Sequence, residues 1–253
     1  MPCTYEIYGY LSDLNVNPIG ENRTILVRVI ETTDPSIRDK IVKATTNRQN
    51  RMPSSSLRAT DEIHRHIETL FRQAGLYYDR LKGQHKDEGK PVARIVSREE
   101  IIQAVVAIIL QRPDDARARP SKYIDNDDEY ESVFGENVLP LSVYVYCVRI
   151  VRNIEQFLRA KSLDRAKIKD IKFYVGTYLV CHILQNPEPS PELVLSINPD
   201  EIEQDALLNS YKPVERKYRE LGGDDVVAKG PKLVKSVKRM VRLRYKAKTA
   251  AKP

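Results

Sequence analysis

The feature that most constrains the fold is a long run of helical periodicity in the second half of the chain. Apolar residues there recur every three or four positions, as they do along one side of an α-helix. The predicted helices cover 141–161, 167–184 and about 200–220. Because such helices bury their apolar sides against one another, they predict a helical domain at 136–223 that ends at Gly222 and Gly223.

The first part of the chain has a mixed character. Segments 4–11 and 24–30 are rich in β-branched and aromatic residues, which predicts two strands. Helices are predicted at about 34–46, 61–74 and 101–110. The predicted fold class is therefore α+β and predominantly α-helical, with a small N-terminal strand–helix unit inside 1–135, followed by the helical domain.

Shorter signals connect these segments. Residues 76–79 favour a strand, 47–56 favour a polar loop, and 82–90 favour a charged loop. Ser97 and Glu100 have the spacing of a capping box, in which the serine and glutamate side chains each satisfy the other residue's free backbone N–H. The helix behind this box is apolar on more than one side, which predicts that it is buried.

Positive charge is concentrated at the C-terminus. Ten of the 42 Lys and Arg residues and none of the 35 Asp and Glu residues lie from Val226 to Pro253. A basic amphipathic helix and tail are therefore predicted at 224–253. The cations on one face of this helix are Lys232, Lys235, Arg239, Arg242 and Lys246. The other face carries Leu233, Val237, Met240 and Val241.

Two interpretations of this helix stay open. Its cations could neutralise the phosphates of DNA or RNA. Alternatively, the helix docks on the rest of the chain through its apolar face, and its charges are simply solvated. A membrane surface is disfavoured as a partner, because the apolar face has neither Trp nor Phe.

Residues that would complete an active site are missing from the sequence. There is no phosphate-binding glycine loop, no nucleophile elbow and no spaced Cys/His set for zinc. His64 and His66 point to different faces of a helix, and both are expected at the surface. The acidic residues within 125–131 are expected to form a solvated loop. Accordingly, no catalytic residue, metal or cofactor is predicted for this chain.

The cysteines and the N-terminus indicate the compartment. Cys3, Cys147 and Cys181 are an odd number without paired spacing, which fits a reducing environment, and the last two are expected to be buried. Neither a secretory signal nor an apolar run long enough for a bilayer is present. A cytoplasmic location is therefore expected.

A polar segment at 45–61 carries further candidate binding residues. Its amide and guanidinium side chains include Asn47, Arg48, Gln49, Arg51 and Arg58. Such donors suit a phosphate, a nucleotide or a nucleic-acid backbone. Alternatively, Asn47, Gln49 and Asp61 form a buried polar network that holds the loop in place.

Several motifs follow one another between residues 23 and 135. They are Lys43-Ala-Thr-x-Asn47-x-Gln49-Asn50, Ser54-x-x-Leu57-Arg58-x-x-Asp61, Gly75-x-Tyr77-Tyr78-x-Arg80-x-x-Gly83, Gln103-x-x-x-Ala107, Pro113-x-x-Ala116, Pro120-Ser121-Lys122 and Tyr130-Glu131-x-x-Phe134. In this order and spacing they resemble the AIPR family of bacterial abortive-infection proteins.

This resemblance implies a phage-defence protein. Members of the family carry a nuclease-like region before the AIPR core, and an Asn/Gly-rich central segment that this chain lacks. The chain is thus expected to be the C-terminal portion of such a protein, with 1–135 as a partial AIPR-like core. The catalytic residues of the family are expected upstream of Met1.

Two functional hypotheses follow from the sequence. In the first, the chain is a non-catalytic module that binds nucleic acid or a nucleotide through 45–61, the basic helix, or both. Tyr78 and Arg80 could then stack on bases, although a core tyrosine on a half-buried strand is the alternative. In the second, the chain is an interaction module that forms a homo-oligomer or docks onto a nuclease-containing partner.

Overall fold

The computed structural model describes most of the chain after residue 60. The described residues are Thr4–Glu6, Arg28–Ile30, Asp34, Ile37, Arg58, 61–81 and 83–250, with the backbone alone for the two strands and for 247–250. The chain divides into two compact units, 1–52 and 53–253.

In the first unit, strand β1 (Thr4–Glu6) pairs with strand β2 (Arg28–Ile30) in antiparallel fashion. Thr4 lies opposite Ile30, and Glu6 lies opposite Arg28. This pairing confirms that both predicted segments contain a strand. Most of the helix predicted at 34–46 and the loop predicted at 47–56 lie outside the described residues.

The second unit is built from helices and two short strands. In chain order the elements are α1 (Glu62–Gln73), β3 (Tyr77–Asp79), α2 (Gln84–Asp87), β4 (Ile95–Ser97), α3 (Arg98–Ile108), α4 (Pro113–Ala118), α5 (Lys122–Asp125), α6 (Asp127–Phe134), α7 (Ser142–Ala160), α8 (Arg165–Leu184), α9 (Pro191–Val194), α10 (Gln204–Glu220), α11 (Asp225–Lys229) and α12 (Pro231–Ala250). The prediction of a predominantly helical α+β fold is confirmed.

Helices α3 and α8 form the centre of this unit. On α3, seven residues in the stretch from Ile101 to Ile108 are buried, so the helix is covered on more than one side as predicted. Helix α8 packs against α3, α4, α7, α10 and α12. Thr177 on α8 donates its hydroxyl to the carbonyl of Ala107 at 2.7 Å, which satisfies its polar group inside the core.

Strand β3 pairs with a strand that the sequence did not predict. Strand β4 runs parallel to it, with Tyr77 opposite Ile95 and Asp79 opposite Ser97. The Ser97 hydroxyl accepts from the backbone N–H of Glu100 at 3.1 Å, which confirms the serine half of the predicted capping box. The carboxylate of Glu100 pairs with Arg152.

A short helix replaces part of the charged loop expected at 82–90. The carboxylate of Asp79 accepts from the backbone N–H of Gly83 at 3.0 Å and from that of His85 at 2.9 Å. These bonds satisfy free N–H groups at the start of α2, so the prediction of a loop throughout 82–90 is wrong. The helix depends on Asp79, which precedes 82–90, so the composition of 82–90 alone does not predict it.

The C-terminal helix α12 is docked on the helical core. Leu233 and Val237 are fully buried, Val241 is nearly so, and Met240 packs against the core as well. The preceding helix α11 is attached by the hydroxyl of Tyr174, which donates to the carbonyl of Ala228 at 2.7 Å. The apolar face predicted for the helix is therefore its contact with the rest of the unit.

Candidate nucleic-acid interface

Residues from three of the sequence motifs meet in one buried chain of hydrogen bonds. The Tyr130 hydroxyl donates to a carboxylate oxygen of Asp61 at 2.8 Å and lies 3.1 Å from Nε2 of His64. Nδ1 of His64 lies 2.8 Å from the Tyr78 hydroxyl. We call these four residues the tyrosine–histidine chain. It connects the start of α1 with α6 and β3.

The order of these bonds determines the proton positions. Because the Tyr130 hydroxyl donates its hydrogen bond to Asp61, the Tyr130 oxygen accepts a hydrogen bond from His64. The neutral His64 ring therefore carries its hydrogen on Nε2. Nδ1 then accepts from the Tyr78 hydroxyl. Burial and the nearby guanidiniums of Arg98 and Arg80 lower the pKa of His64 to about 3, so its ring is neutral at physiological pH.

His64 corrects one prediction from the sequence. Both histidines of the pair were expected at the surface, but only His66 is exposed, whereas His64 is fully buried. A signal was present, because His64, Ile67 and Phe71 lie at i, i+3 and i+7 on the buried face of α1. Because imidazole is polar, His64 was not counted as part of this buried face.

Arg58 is held by this part of the fold. Its guanidinium forms an ion pair with Asp127 and lies 4.1 Å from the centre of the Tyr130 ring. Only 12% of the side chain is exposed. Arg58 is thus both paired with and stacked on residues of α6, which holds its side chain against that helix. It offers little surface to a phosphate.

Tyr78 and Arg80 are buried as well. The Tyr78 side chain has no exposed surface. Nε of Arg80 lies 2.7 Å from a carboxylate oxygen of Glu68, and its side chain is 5% exposed. The structure therefore places both residues in the core, where a base has no access to the ring. Asn47, Arg48, Gln49 and Arg51 lie outside the described residues.

The cations of α12 have the opposite placement. We call Lys232, Lys235, Arg239, Arg242 and Lys246 the basic face. All five residues are exposed. Arg242 pairs with Glu188 at 2.8 Å. Within the described part of the chain, no carboxylate forms an ion pair with Lys232, Lys235 or Arg239. The basic face is thus a row of exposed cations on a docked helix.

Two apolar side chains accompany the basic face. Leu243 is 56% exposed and Tyr245 is 41% exposed. At 100° per residue, they lie on opposite sides of the row of cations. Together with Pro187 and Glu188, they line a groove between α12 and the segment after α8. An aromatic ring and cations therefore share one accessible surface.

Four of the five acidic residues within 125–131 are exposed to solvent as predicted, but they do not form a loop. Most belong to α6, whose first turn is capped by the Asn126 side chain accepting from the backbone N–H of Glu129 at 3.0 Å. Negative charge at a helix N-terminus interacts favourably with the helix dipole. Glu129 also pairs with Arg112 at 3.2 Å. Across the described residues, no group of acidic, His and Cys side chains suits a metal ion.

The described cysteines behave as predicted. Cys147 and Cys181 are free thiols in the core. Burial raises the pKa of Cys181 to about 12 and also raises that of Cys147, so both remain protonated. Among the helices described, none has both the length and the apolar character that crossing a bilayer would need.

Comparison with known proteins gives one match. The family model described as AIPR protein matches residues 4–221. The match extends well beyond 23–135, where the sequence motifs are found, and ends just before Gly222. No curated protein and no solved structure matches the chain.

Proposed function

The chain belongs to the AIPR family, and on that premise we propose that it is an abortive-infection-type protein that binds nucleic acid through the basic face of α12. In this proposal the chain is a non-catalytic module. The observation that supports it is a row of five exposed cations on a helix whose other side is buried. Among the described residues, no carboxylate forms an ion pair with three of them, Lys232, Lys235 and Arg239.

The dimensions of the basic face suit a phosphate backbone. From Lys232 to Lys246 the helix rises about 21 Å, at 1.5 Å per residue. Each phosphate that a cation neutralises releases counterions, so a row of this kind favours binding at low salt. Because Leu233 and Val237 hold the helix in place, the cations lose little further backbone entropy on binding.

Other candidate residues contribute less to this proposal. Arg58 and Arg80 already have carboxylate partners and are largely buried. Tyr78 is enclosed by the core. The tyrosine–histidine chain therefore supports the fold around the motif residues, and the ligand-binding role is assigned to α12.

Binding of fluorescent DNA and RNA to the full chain tests the proposal. We expect the triple variant Lys232→Gln, Lys235→Gln, Arg239→Gln to bind at least tenfold more weakly than the unchanged chain at low salt. The matched control is Lys86→Gln, Arg94→Gln, Arg216→Gln, which removes the same charge from exposed positions elsewhere.

The control separates a site from a general effect of net charge. If both triple variants lose the same affinity, the basic face is not the site. If the unchanged chain binds neither DNA nor RNA at low salt, the proposal is wrong, and assembly with a second copy or an effector becomes the hypothesis to pursue. Substitution is preferable to truncation at Gly223, because removing α12 would expose the core that Leu233 and Val237 cover.

A further inference from the structure

The groove beside the basic face combines two kinds of side chain. On one wall, Arg239 and Arg242 present cations, and Glu188 faces them from the segment after α8. Leu243 and Tyr245 add apolar surface at the same level of the helix. Phosphate binding would use the cations and make no use of the exposed surface of Tyr245.

The exposed ring favours unpaired bases over a duplex. In a duplex the bases are stacked inside and the outer surface is the phosphate backbone, so a ring beside the cations would have nothing to stack on. In a single strand every base has a free π-face. Proteins that bind single strands combine a positively charged groove with aromatic side chains for this reason.

We infer that the groove holds single-stranded nucleic acid, with phosphates at Lys235, Arg239 and Arg242 and a base against Tyr245. This inference rests on the proposed function, and it names the class of nucleic acid for the same site. Leu243 covers the other side of the row and gives a second apolar contact for the strand.

Glu188 is the anion that the strand would replace. Its carboxylate lies 2.8 Å from Arg242, and the side chains are 70% and 61% exposed. An ion pair exposed to this extent contributes little to stability, so exchanging the carboxylate for a phosphate costs little. Removing the charge of Glu188 is therefore expected to strengthen binding.

The experiment uses the full chain and three fluorescent probes of equal length, about 15 nucleotides, within the range that such grooves cover. The probes are single-stranded oligothymidylate, a duplex, and a single strand whose central sugars carry no bases. The variants are Tyr245→Ala, Tyr245→Phe and Glu188→Gln. Thermal unfolding of each variant shows that the fold is intact.

We expect the single strand to bind more tightly than both the duplex and the probe without bases. Tyr245→Ala should weaken binding of oligothymidylate about tenfold, the effect of losing one stacked base, whereas Tyr245→Phe should bind as the unchanged chain does. Glu188→Gln should bind severalfold more tightly.

The outcomes separate this inference from the proposed function. Equal binding of the single strand and the duplex, with Tyr245→Ala unchanged and the basic-face variant weakened, overturns the single-strand inference and leaves nucleic-acid binding in place. Equal binding of oligothymidylate and the probe without bases also overturns it. If the unchanged chain binds none of the three probes, both the single-strand inference and the proposed nucleic-acid binding are wrong.

Discussion

At the scale of single residues, the tyrosine–histidine chain explains why motif positions far apart in the sequence belong together. His64 is buried without charge, so each ring nitrogen requires a partner, and the hydroxyls of Tyr78 and Tyr130 supply these partners. Asp61 fixes the direction of the bonds from the other end. One missing hydroxyl would leave a buried polar group unsatisfied, which costs more than the bond itself contributes.

Tyr130→Phe tests this chain. The change keeps the ring beneath Arg58 but removes the hydroxyl between Asp61 and His64. We expect the free energy of unfolding to fall by about 1–3 kcal/mol, measured by urea denaturation at pH 7. The control Tyr146→Phe alters a half-buried tyrosine and should change stability by less than about 0.5 kcal/mol. Equal effects would argue against the hydrogen-bond chain.

His64 also predicts a dependence of stability on pH. Its pKa is about 3 in the folded chain and near its ordinary value of 6.5 when unfolded. The unfolded state therefore binds the proton first, and stability falls by about 1.4 kcal/mol per pH unit as the pH drops below 6.5.

His64→Gln removes this titration and keeps a side chain that can donate and accept. Denaturation at pH 7, 6, 5 and 4.5 should show the unchanged chain losing stability more steeply than the variant. The difference between the two isolates His64 from the carboxylates, which titrate in both proteins. Parallel curves would show that His64 is not buried in the neutral form.

At the scale of elements, local periodicity predicted the long helices, and tertiary contacts determined the rest. Helices α7 and α8 follow the predicted ranges closely, because their apolar repeats lie within one segment. Strand β4 depends on distant partners. Arg152 of α7 donates to the carbonyls of Ala93 and Ile95 at 2.8 and 2.7 Å, and pairs with Glu100 at 2.6 Å. The sequence around β4 contains no pattern that predicts its contact with Arg152.

Arg152→Lys tests the support of β4. A lysine keeps the charge but lacks the planar set of donors that serves Glu100 and two carbonyls together. We expect a loss of about 1–2 kcal/mol in the free energy of unfolding. Arg149→Lys is the control, since Arg149 makes an exposed ion pair with Asp200 and should cost less than about 0.5 kcal/mol. Equal losses would mean that the carbonyl contacts contribute nothing.

Leu233→Ala tests the docking of α12. Leu233 is fully buried, so the truncation leaves a cavity and should lower the free energy of unfolding by about 2–5 kcal/mol. Leu243→Ala removes the same atoms from an exposed position of the same helix and should change stability little. If Leu233→Ala is as mild as Leu243→Ala, the helix is not docked in solution.

At the scale of the whole molecule, the sequence predicted which cations are exposed on α12 better than it predicted which motif residues are buried. The basic face was predictable because its cations repeat with the period of one helix, and the structure exposes all five. Tyr78, Arg80 and Arg58 also have polar groups suited to a ligand. In the structure, however, each contacts another side chain of the fold: His64, Glu68 and Asp127, respectively. Sequence spacing alone does not distinguish these two uses of an arginine or a tyrosine.

Nucleic-acid binding by the basic face is tested most directly by the salt dependence of affinity. The measurement is the dissociation constant of a fluorescent single strand across a series of salt concentrations, for the full chain and for Lys232→Gln, Lys235→Gln, Arg239→Gln. If these three cations contact phosphates, the slope of log K against log salt should become shallower by about 2. An unchanged slope, or a slope equally altered by Lys86→Gln, Arg94→Gln, Arg216→Gln, would contradict the account.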